Sequence, residues 1–257
     1  MSQTVIREVT QNVWTFSAFD LEYEPFPSST SGHVNNDSPF KLGFMPLGFR
    51  STAVKLSNGD VWVHASTPFD NETKESLDKL GPVKYIMNSS LAHHFFLTEF
   101  KNAYPNAKII GVEGISAKKG MKFDGEYGRD SEGTKYGYED EIKTCFFSGS
   151  SNKEVAWYHT SSKTLIVGDL MFNLPATEQF SKSGSSGKLP FISTLSPTGM
   201  FCKSTLWGFG VDKEQMKKDI KTVYDWDFER IIMGHGNVIE KDAKKSWQSA
   251  WSKYAPW

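Results

Sequence analysis

The sequence has little cysteine, no excess of positive charge and no long apolar run. Only two cysteines occur among 257 residues, Cys145 and Cys202, so we expect neither a secreted disulfide framework nor a cysteine-based zinc site. Lysine and arginine number 29 against 30 acidic residues, and the formal net charge is −1. A protein that binds a nucleic-acid backbone needs clustered cations, so no nucleic-acid partner is expected.

The apolar segments are also too short for a membrane protein. No run approaches the roughly 18 residues of a spanning helix, and the N-terminal residues lack the apolar stretch of a signal peptide. We therefore expect a soluble, cytoplasmic protein without a membrane partner. Aromatic residues, in contrast, reach 14 %, with 19 Phe and 8 Trp. They indicate either a phenylalanine-rich core or an aromatic-lined pocket for an apolar ligand.

Strand and helix patterns alternate along the chain. Alternating or continuous short apolar runs predict strands within 5–19 and at 53–56, 61–64, 83–87, 109–112, 143–147, 154–159, 164–167 and 230–233. Helical spacing and capping residues predict helices at 70–80, 95–103, 213–224 and 241–253. This order is typical of a layered α/β fold in which helices cover a sheet.

Irregular stretches interrupt this order. Proline, glycine and serine predict long irregular loops at about 20–50 and 175–210, and residues 114–140 are predicted to form a surface excursion. The first loop carries several aromatic residues, and we expect it to cover another part of the protein. No linker separates two domains, so residues 1–257 are predicted to form one domain whose two strand-rich halves share a core.

Histidine or aspartate follows three of the predicted strands, and glycines accompany two of them. In layered α/β proteins, loops converge at the carboxyl ends of strands, and functional side chains gather there. We therefore predict a shared site from the residues at these strand ends, which are His93 with His94, Asp169, and His235.

This order of a hairpin, a helix, a strand with a histidine pair, a strand with Gly-Asp and a strand with Gly-His-Gly resembles the metallo-β-lactamase superfamily. The resemblance covers roughly residues 13–251. The stretches LSNGDVWVHAS, LGPVKYIMN, TLIVGDLMFN and DWDFERIIMGHG resemble more closely a little-characterised branch with a tandem histidine pair. The resemblance implies a four-layer αββα sandwich with a metal site at one edge of the two sheets.

The resemblance also implies that one of the superfamily's two metal positions is lost. Its motif T-H-x-H-x-D-H, laid on NSSLAHH, places Ser89 and Leu91 where the first two histidines would stand. The third histidine of that position falls on Ser150. The motif's aspartate and last histidine fall on His93 and His94.

The second metal position maps onto His93, His94, Asp169 and His235. Three imidazoles and one carboxylate suit zinc, iron, manganese or cobalt, so at most one divalent metal ion is expected. The alternative is a metal-free pocket in which the four side chains hydrogen-bond one another. His94, Asp169 and His235 are also the predicted catalytic residues.

Three functions are compatible with this set of residues. The first is a hydrolase that cleaves a small, largely apolar ester, lactone or thioester through at most one metal ion. The second is a metal-independent enzyme that performs a dehydration, cyclisation or isomerisation with acid–base residues in an aromatic pocket. The third is a non-catalytic binding protein. In each case the expected partner is a small molecule.

Overall fold

The apolar strands of the first half of the chain pair into one sheet. The computed structural model describes residues 4–19, 48–184, 188, 195–254 and 257. The strands of the first sheet lie side by side in chain order: β1 (Val5–Thr10), β2 (Val13–Ala18), β3 (Phe49–Lys55), β4 (Val61–His64), β5 (Val83–Met87), β6 (Lys108–Val112) and β7 (Gly125–Tyr127). Neighbours from β1 to β4 are antiparallel, and those from β4 to β7 are parallel.

Helices make the crossovers that the parallel pairs require. They are α1 (Asn71–Leu80), α2 (Leu97–Ala103) and α3 (Ile115–Lys119). Asp70 caps α1 by accepting a hydrogen bond from the backbone N–H of Thr73 at 2.8 Å. Each helix buries apolar side chains against the sheet, including Leu77, Phe100 and Ile115.

The second half of the chain forms a smaller sheet with its own helices. In spatial order its strands are β12 (Arg230–Ile232), β10 (Thr164–Ile166), β9 (Glu154–His159) and β8 (Ile142–Phe147). Two short strands, β11 (Phe172–Asn173) and β13 (His235–Gly236), pair separately in parallel. The helices of this half are α4 (Met200–Phe209), α5 (Lys213–Tyr224) and α6 (Ala243–Ala250). No helix in the described part of the chain combines the length and apolarity of a membrane span.

Two apolar cores separate the layers. Between the sheets, Trp62 of β4 and Trp157 of β9 meet edge to face with ring centroids 5.1 Å apart. On the outer side of the smaller sheet, Trp247 and Trp251 pack with the helices of the second half. Helices, sheet, sheet and helices therefore follow one another, and the predicted αββα layering is confirmed.

Three local predictions need correction. The helix after the histidine pair begins at Leu97, so His93 and His94 lie in the preceding loop. Residues 114–140 contribute α3 and β7 rather than only a surface excursion. Residues 175–210 contain the helix α4, which the sequence did not indicate because glycine and serine have low helix propensity. Burial of its apolar side chains in the second core outweighs that low propensity. Most of the predicted first loop, residues 20–47, lies outside the described residues.

Asp219 of α5 should make stability depend on pH. Burial raises its pKa to about 6, so the folded state binds this proton more tightly than the unfolded chain. The free energy of unfolding should therefore fall as the pH rises from the ordinary aspartate value of 3.8 to about 6. Asp219→Asn should remove that loss. We expect the variant to gain about 1 kcal/mol relative to the parent between about pH 4 and pH 7, after allowance for solvent screening.

Urea unfolding at a series of pH values measures this difference. Glu214→Gln, which removes an exposed carboxylate from the same helix, controls for the loss of one negative charge. A gap between Asp219→Asn and the parent that stays constant across the pH range would contradict the prediction.

Candidate metal centre

Loops from both sheets bring three of the predicted site residues together. His93 lies in the loop after β5, Asp169 follows β10, and His235 begins β13. One ligand atom from each residue lies within 4.8 Å of those of the other two. Within the described residues, this is the one group of three or more histidine, cysteine or acidic side chains with such spacing.

The contacts converge on a single oxygen atom. Oδ1 of Asp169 lies 3.0 Å from Nε2 of His93 and 3.2 Å from Nε2 of His235. The second oxygen, Oδ2, accepts a hydrogen bond from the side-chain amide of Asn152 at 3.3 Å. All three site residues are buried, with exposures of 7–8 %. Burial alone would raise the pKa of Asp169, but the two imidazoles hold it below its ordinary value.

The outer ring nitrogens of both histidines are also held. Nδ1 of His235 donates a hydrogen bond to the carbonyl oxygen of Gly48 at 2.7 Å. Because a carbonyl can only accept, the proton of this imidazole resides on Nδ1 and Nε2 presents a lone pair when the ring is neutral. Nδ1 of His93 lies 2.6 Å from the hydroxyl of Ser66. Such outer contacts orient the metal-binding histidines of proteins.

His94 lies outside this group. Its ring packs against the ring of Phe95, with centroids 4.4 Å apart. Burial, assisted by the charges of Lys118 and Lys119, lowers the pKa of His94 to about 4. Its assignment as a metal ligand and catalytic residue stays a prediction.

Uncharged side chains occupy the three positions where the resemblance implies lost ligands. The Ser89 hydroxyl lies 3.0 Å from Nε2 of His64, whose pKa burial lowers to about 3. Leu91 packs against the core between the sheets. The Ser150 hydroxyl accepts a hydrogen bond from the backbone N–H of Asn152 at 3.3 Å. These side chains are engaged with the protein itself.

Glu154, at the start of β9, is a further buried acid that the sequence did not indicate. Its side chain is fully buried. Burial and the nearby charge of Asp169 raise its pKa well above the ordinary range of a glutamate. A glutamate at the start of an apolar strand carries no sequence signal for such a position. Asn152 and the Gly48 carbonyl likewise carry no sequence signal for their contacts at the site. Ser66 follows the end of a predicted strand, so its position near the site was predictable from the sequence.

Aromatic rings flank His235. The Phe172 ring stacks on the imidazole at a centroid distance of 6.0 Å and an angle of 7°. The Phe49 ring meets the imidazole edge to face at 6.2 Å and contacts Phe96 at 5.7 Å. The site therefore combines three polar groups with an apolar wall.

The donor set fits a divalent metal ion. Zinc takes histidine nitrogens and carboxylate oxygens at ~2.0–2.2 Å, so neighbouring ligand atoms in a tetrahedron lie roughly 3.3 Å apart. The two contacts of Asp169 Oδ1, at 3.0 and 3.2 Å, are close to this spacing. Both imidazoles present Nε2, and both are anchored through Nδ1. His93, Asp169 and His235 are thus the residues that could hold a metal here.

The fold resembles solved metallo-β-lactamases over nearly its whole length. A metallo-β-lactamase from Hirschia baltica matches with a TM-score of 0.57 and 10 % identity, over 96 % of this chain and 97 % of that one. One from Pontibacter korlensis matches with a TM-score of 0.56 and 13 % identity, over 96 % and 98 %. FIM-1 from Pseudomonas aeruginosa, in its mono-zinc form, matches with a TM-score of 0.58 and 11 % identity, over 99 % and 100 %.

No family model matches the sequence, and no curated protein matches it either. The likeness is one of three-dimensional architecture at low identity. The TM-scores of 0.57 and 0.58 and the coverage of both chains confirm the fold that the motif order implied. This chain has the fold of the metallo-β-lactamase superfamily.

Proposed function

We propose that the protein is a hydrolase that cleaves small, largely apolar esters, lactones or thioesters with at most one divalent metal ion. His93, Asp169 and His235 would hold that ion. The observation that carries the proposal is the convergence of two imidazole Nε2 atoms on one carboxylate oxygen. The fold, which the protein shares with solved metallo-β-lactamases, supports hydrolysis as the reaction class.

The tautomer of His235 supports a cation in this group. Its Nδ1 proton is committed to the Gly48 carbonyl, so the neutral ring turns a lone pair toward the negative oxygen of Asp169. Two electron-rich atoms 3.2 Å apart in a buried site repel each other unless a positive charge lies between them. Either a second ring proton or a metal ion supplies that charge.

A divalent metal ion, when bound, supplies Lewis-acid activation of a substrate carbonyl and of water. The protein's own groups do the remaining work. Ser66 and Gly48 fix the ring orientations of the two histidines. Asn152 fixes the carboxylate through Oδ2. This preorganisation lowers the reorganisation that a reaction at the site would require.

The aromatic wall supports an apolar substrate. Phe172 and Phe49 both contact the His235 ring, so a molecule that approached this imidazole would meet apolar surface. Aromatic walls with a few polar groups are typical of small-molecule sites. An aliphatic or aromatic acyl group fits this environment better than a charged one.

A metal-independent acid–base enzyme is the second candidate. It is supported by the hydrogen-bonded serines at two of the lost ligand positions, Ser89 and Ser150. In that case a second proton on His235 would supply the positive charge facing Asp169. A binding protein without turnover would use the same group of residues. The metal content of the protein separates these candidates from the hydrolase.

Metal analysis is the first test. We expect the purified chain, supplied with zinc, iron, manganese or cobalt, to retain about one ion per chain and to lose it to a chelator. Asp169→Ala and His235→Ala should each abolish binding, because each removes one of the three donors grouped within the described residues. Elemental mass spectrometry measures the stoichiometry. Absence of binding at every metal concentration would refute the hydrolase proposal.

His94→Ala supplies a matched comparison for the metal test. His94 lies next to His93 but outside the grouped donors, so the substitution should leave stoichiometry near that of the parent. A loss of metal in His94→Ala would instead show that its side chain turns into the site when the ion binds.

Hydrolysis is the second test. A chromogenic panel of short-chain aryl esters, thioesters and lactones should be cleaved, and Asp169→Asn should lower kcat/KM roughly 100-fold or more, equivalent to ~3 kcal/mol of transition-state stabilisation. Activity should follow metal occupancy during chelation and reloading. Cleavage that persists in Asp169→Asn would place the reaction elsewhere.

Gly234 provides a third test, because a side chain there would strike His93. A Cβ atom at this position would lie 2.9 Å from Cε1 of the His93 ring, too close for van der Waals contact. Gly234→Ala should therefore displace the ring and weaken metal affinity roughly tenfold or more. Gly208→Ala, where a Cβ would meet nothing within 4 Å, is the control. Equal affinities of the two variants, measured by competition with a chromogenic chelator, would contradict this placement of His93.

A further inference from the structure

The backbone around His235 is held by a side chain that no sequence motif indicated. Gln179 lies between β11 and α4 and is 1 % exposed. Its Nε2 donates a hydrogen bond to the carbonyl of Gly234 at 2.9 Å, and its Oε1 accepts one from the N–H of Gly236 at 2.8 Å. One carboxamide therefore binds the residues on both sides of His235.

The same side chain also packs against the partner of the His235 ring. A Cβ atom at Gly48 would lie 2.7 Å from Cβ of Gln179 and 2.9 Å from its Oε1, so the two residues lie against each other. The Gly48 carbonyl is the acceptor of the His235 Nδ1 proton. Gln179 thus contacts the backbone of both residues that flank His235 and also Gly48, whose carbonyl accepts the His235 proton.

The segment that carries Gln179 is itself anchored to the turn. The Asn237 side-chain oxygen accepts hydrogen bonds from the Thr177 hydroxyl at 3.1 Å and from the backbone N–H of Glu178 at 3.0 Å. Arg50 fixes the turn itself, because it donates hydrogen bonds to the carbonyls of Met233 at 2.9 Å and Gly236 at 2.6 Å. The carboxamide therefore has a fixed position from which to act on His235.

We propose that Gln179 is a positioning residue for His235, which orients the imidazole between the Gly48 carbonyl and Asp169. Removing its carboxamide leaves a buried carbonyl and a buried N–H without partners, and such groups move to regain hydrogen bonds. That movement displaces the His235 ring from Gly48. The effect on metal affinity rests on the proposed function, whereas the orientation of the ring does not.

Gln179→Met tests the proposal, since methionine is similar in length but has no donor for the Gly234 carbonyl and only a weak acceptor for the Gly236 N–H. The full-length chain with isotope-labelled histidine is examined by NMR, and the Nδ1–H resonance of His235 is assigned by its absence in His235→Ala. We expect this resonance to be exchange-protected in the parent and to shift and lose protection in Gln179→Met. An Nδ1–H resonance with the shift and protection of the parent would overturn the proposal.

Metal affinity is the second measurement. Substitutions of groups that orient metal ligands weaken affinity roughly 10–100-fold, and we expect a cobalt or zinc dissociation constant raised by that factor in Gln179→Met. The control is Gln248→Met on α6, which removes a hydrogen bond of 2.8 Å to the Tyr224 hydroxyl and should leave the constant unchanged. If the parent binds no metal, the proposed function fails, and the NMR measurement still decides the role of Gln179.

A milder variant covers the case in which Gln179→Met does not fold. Gln179→Asn keeps the carboxamide but is one methylene shorter, so it cannot reach both Gly234 and Gly236. We expect the same loss of Nδ1–H protection to a smaller extent. Full protection in a folded Gln179→Asn would overturn the proposal in the same way.

Discussion

One carboxylate oxygen, Oδ1 of Asp169, joins the two halves of the site. It meets His93 from the first half of the chain and His235 from the second, within a buried setting. The surrounding polar groups serve this contact, because Asn152 holds the other carboxylate oxygen and Ser66 and Gly48 hold the outer nitrogens. A buried negative charge between two imidazoles needs a positive charge nearby, and either a ring proton or a metal ion could supply it.

The regular elements were largely predictable from the sequence. The β5 strand and the α5 helix were predicted with the bounds they have. A continuous apolar run specifies the strand, and an amphipathic pattern with a capping residue specifies the helix. Asp70 and Gly81 at the ends of α1 are further local signals of this kind. In each case the residues that determine the structure lie within the element or next to it.

The remaining features depend on contacts between distant segments. The α4 helix, with glycine and serine in its sequence, is stabilised by burial of Cys202 and Leu206 rather than by propensity. Which member of the histidine pair reaches Asp169 depends on the path of a loop, and no periodicity describes that path. The hold of Gln179 on the turn around His235 joins residues separated by 55 and 57 positions. The strand ends thus predicted that His93, Asp169 and His235 lie together, but not which groups hold them in place.

The distribution of the site along the chain has a consequence for its biosynthesis. The last of the grouped donors, His235, lies in β13, and its strand partner β11 and the Gly48 carbonyl come from much earlier segments. During translation, the residues of the first sheet leave the ribosome long before this histidine does. The group of His93, Asp169 and His235 is therefore complete only after β13 has been synthesised, and a nascent chain that ends before β13 lacks one of the proposed ion ligands.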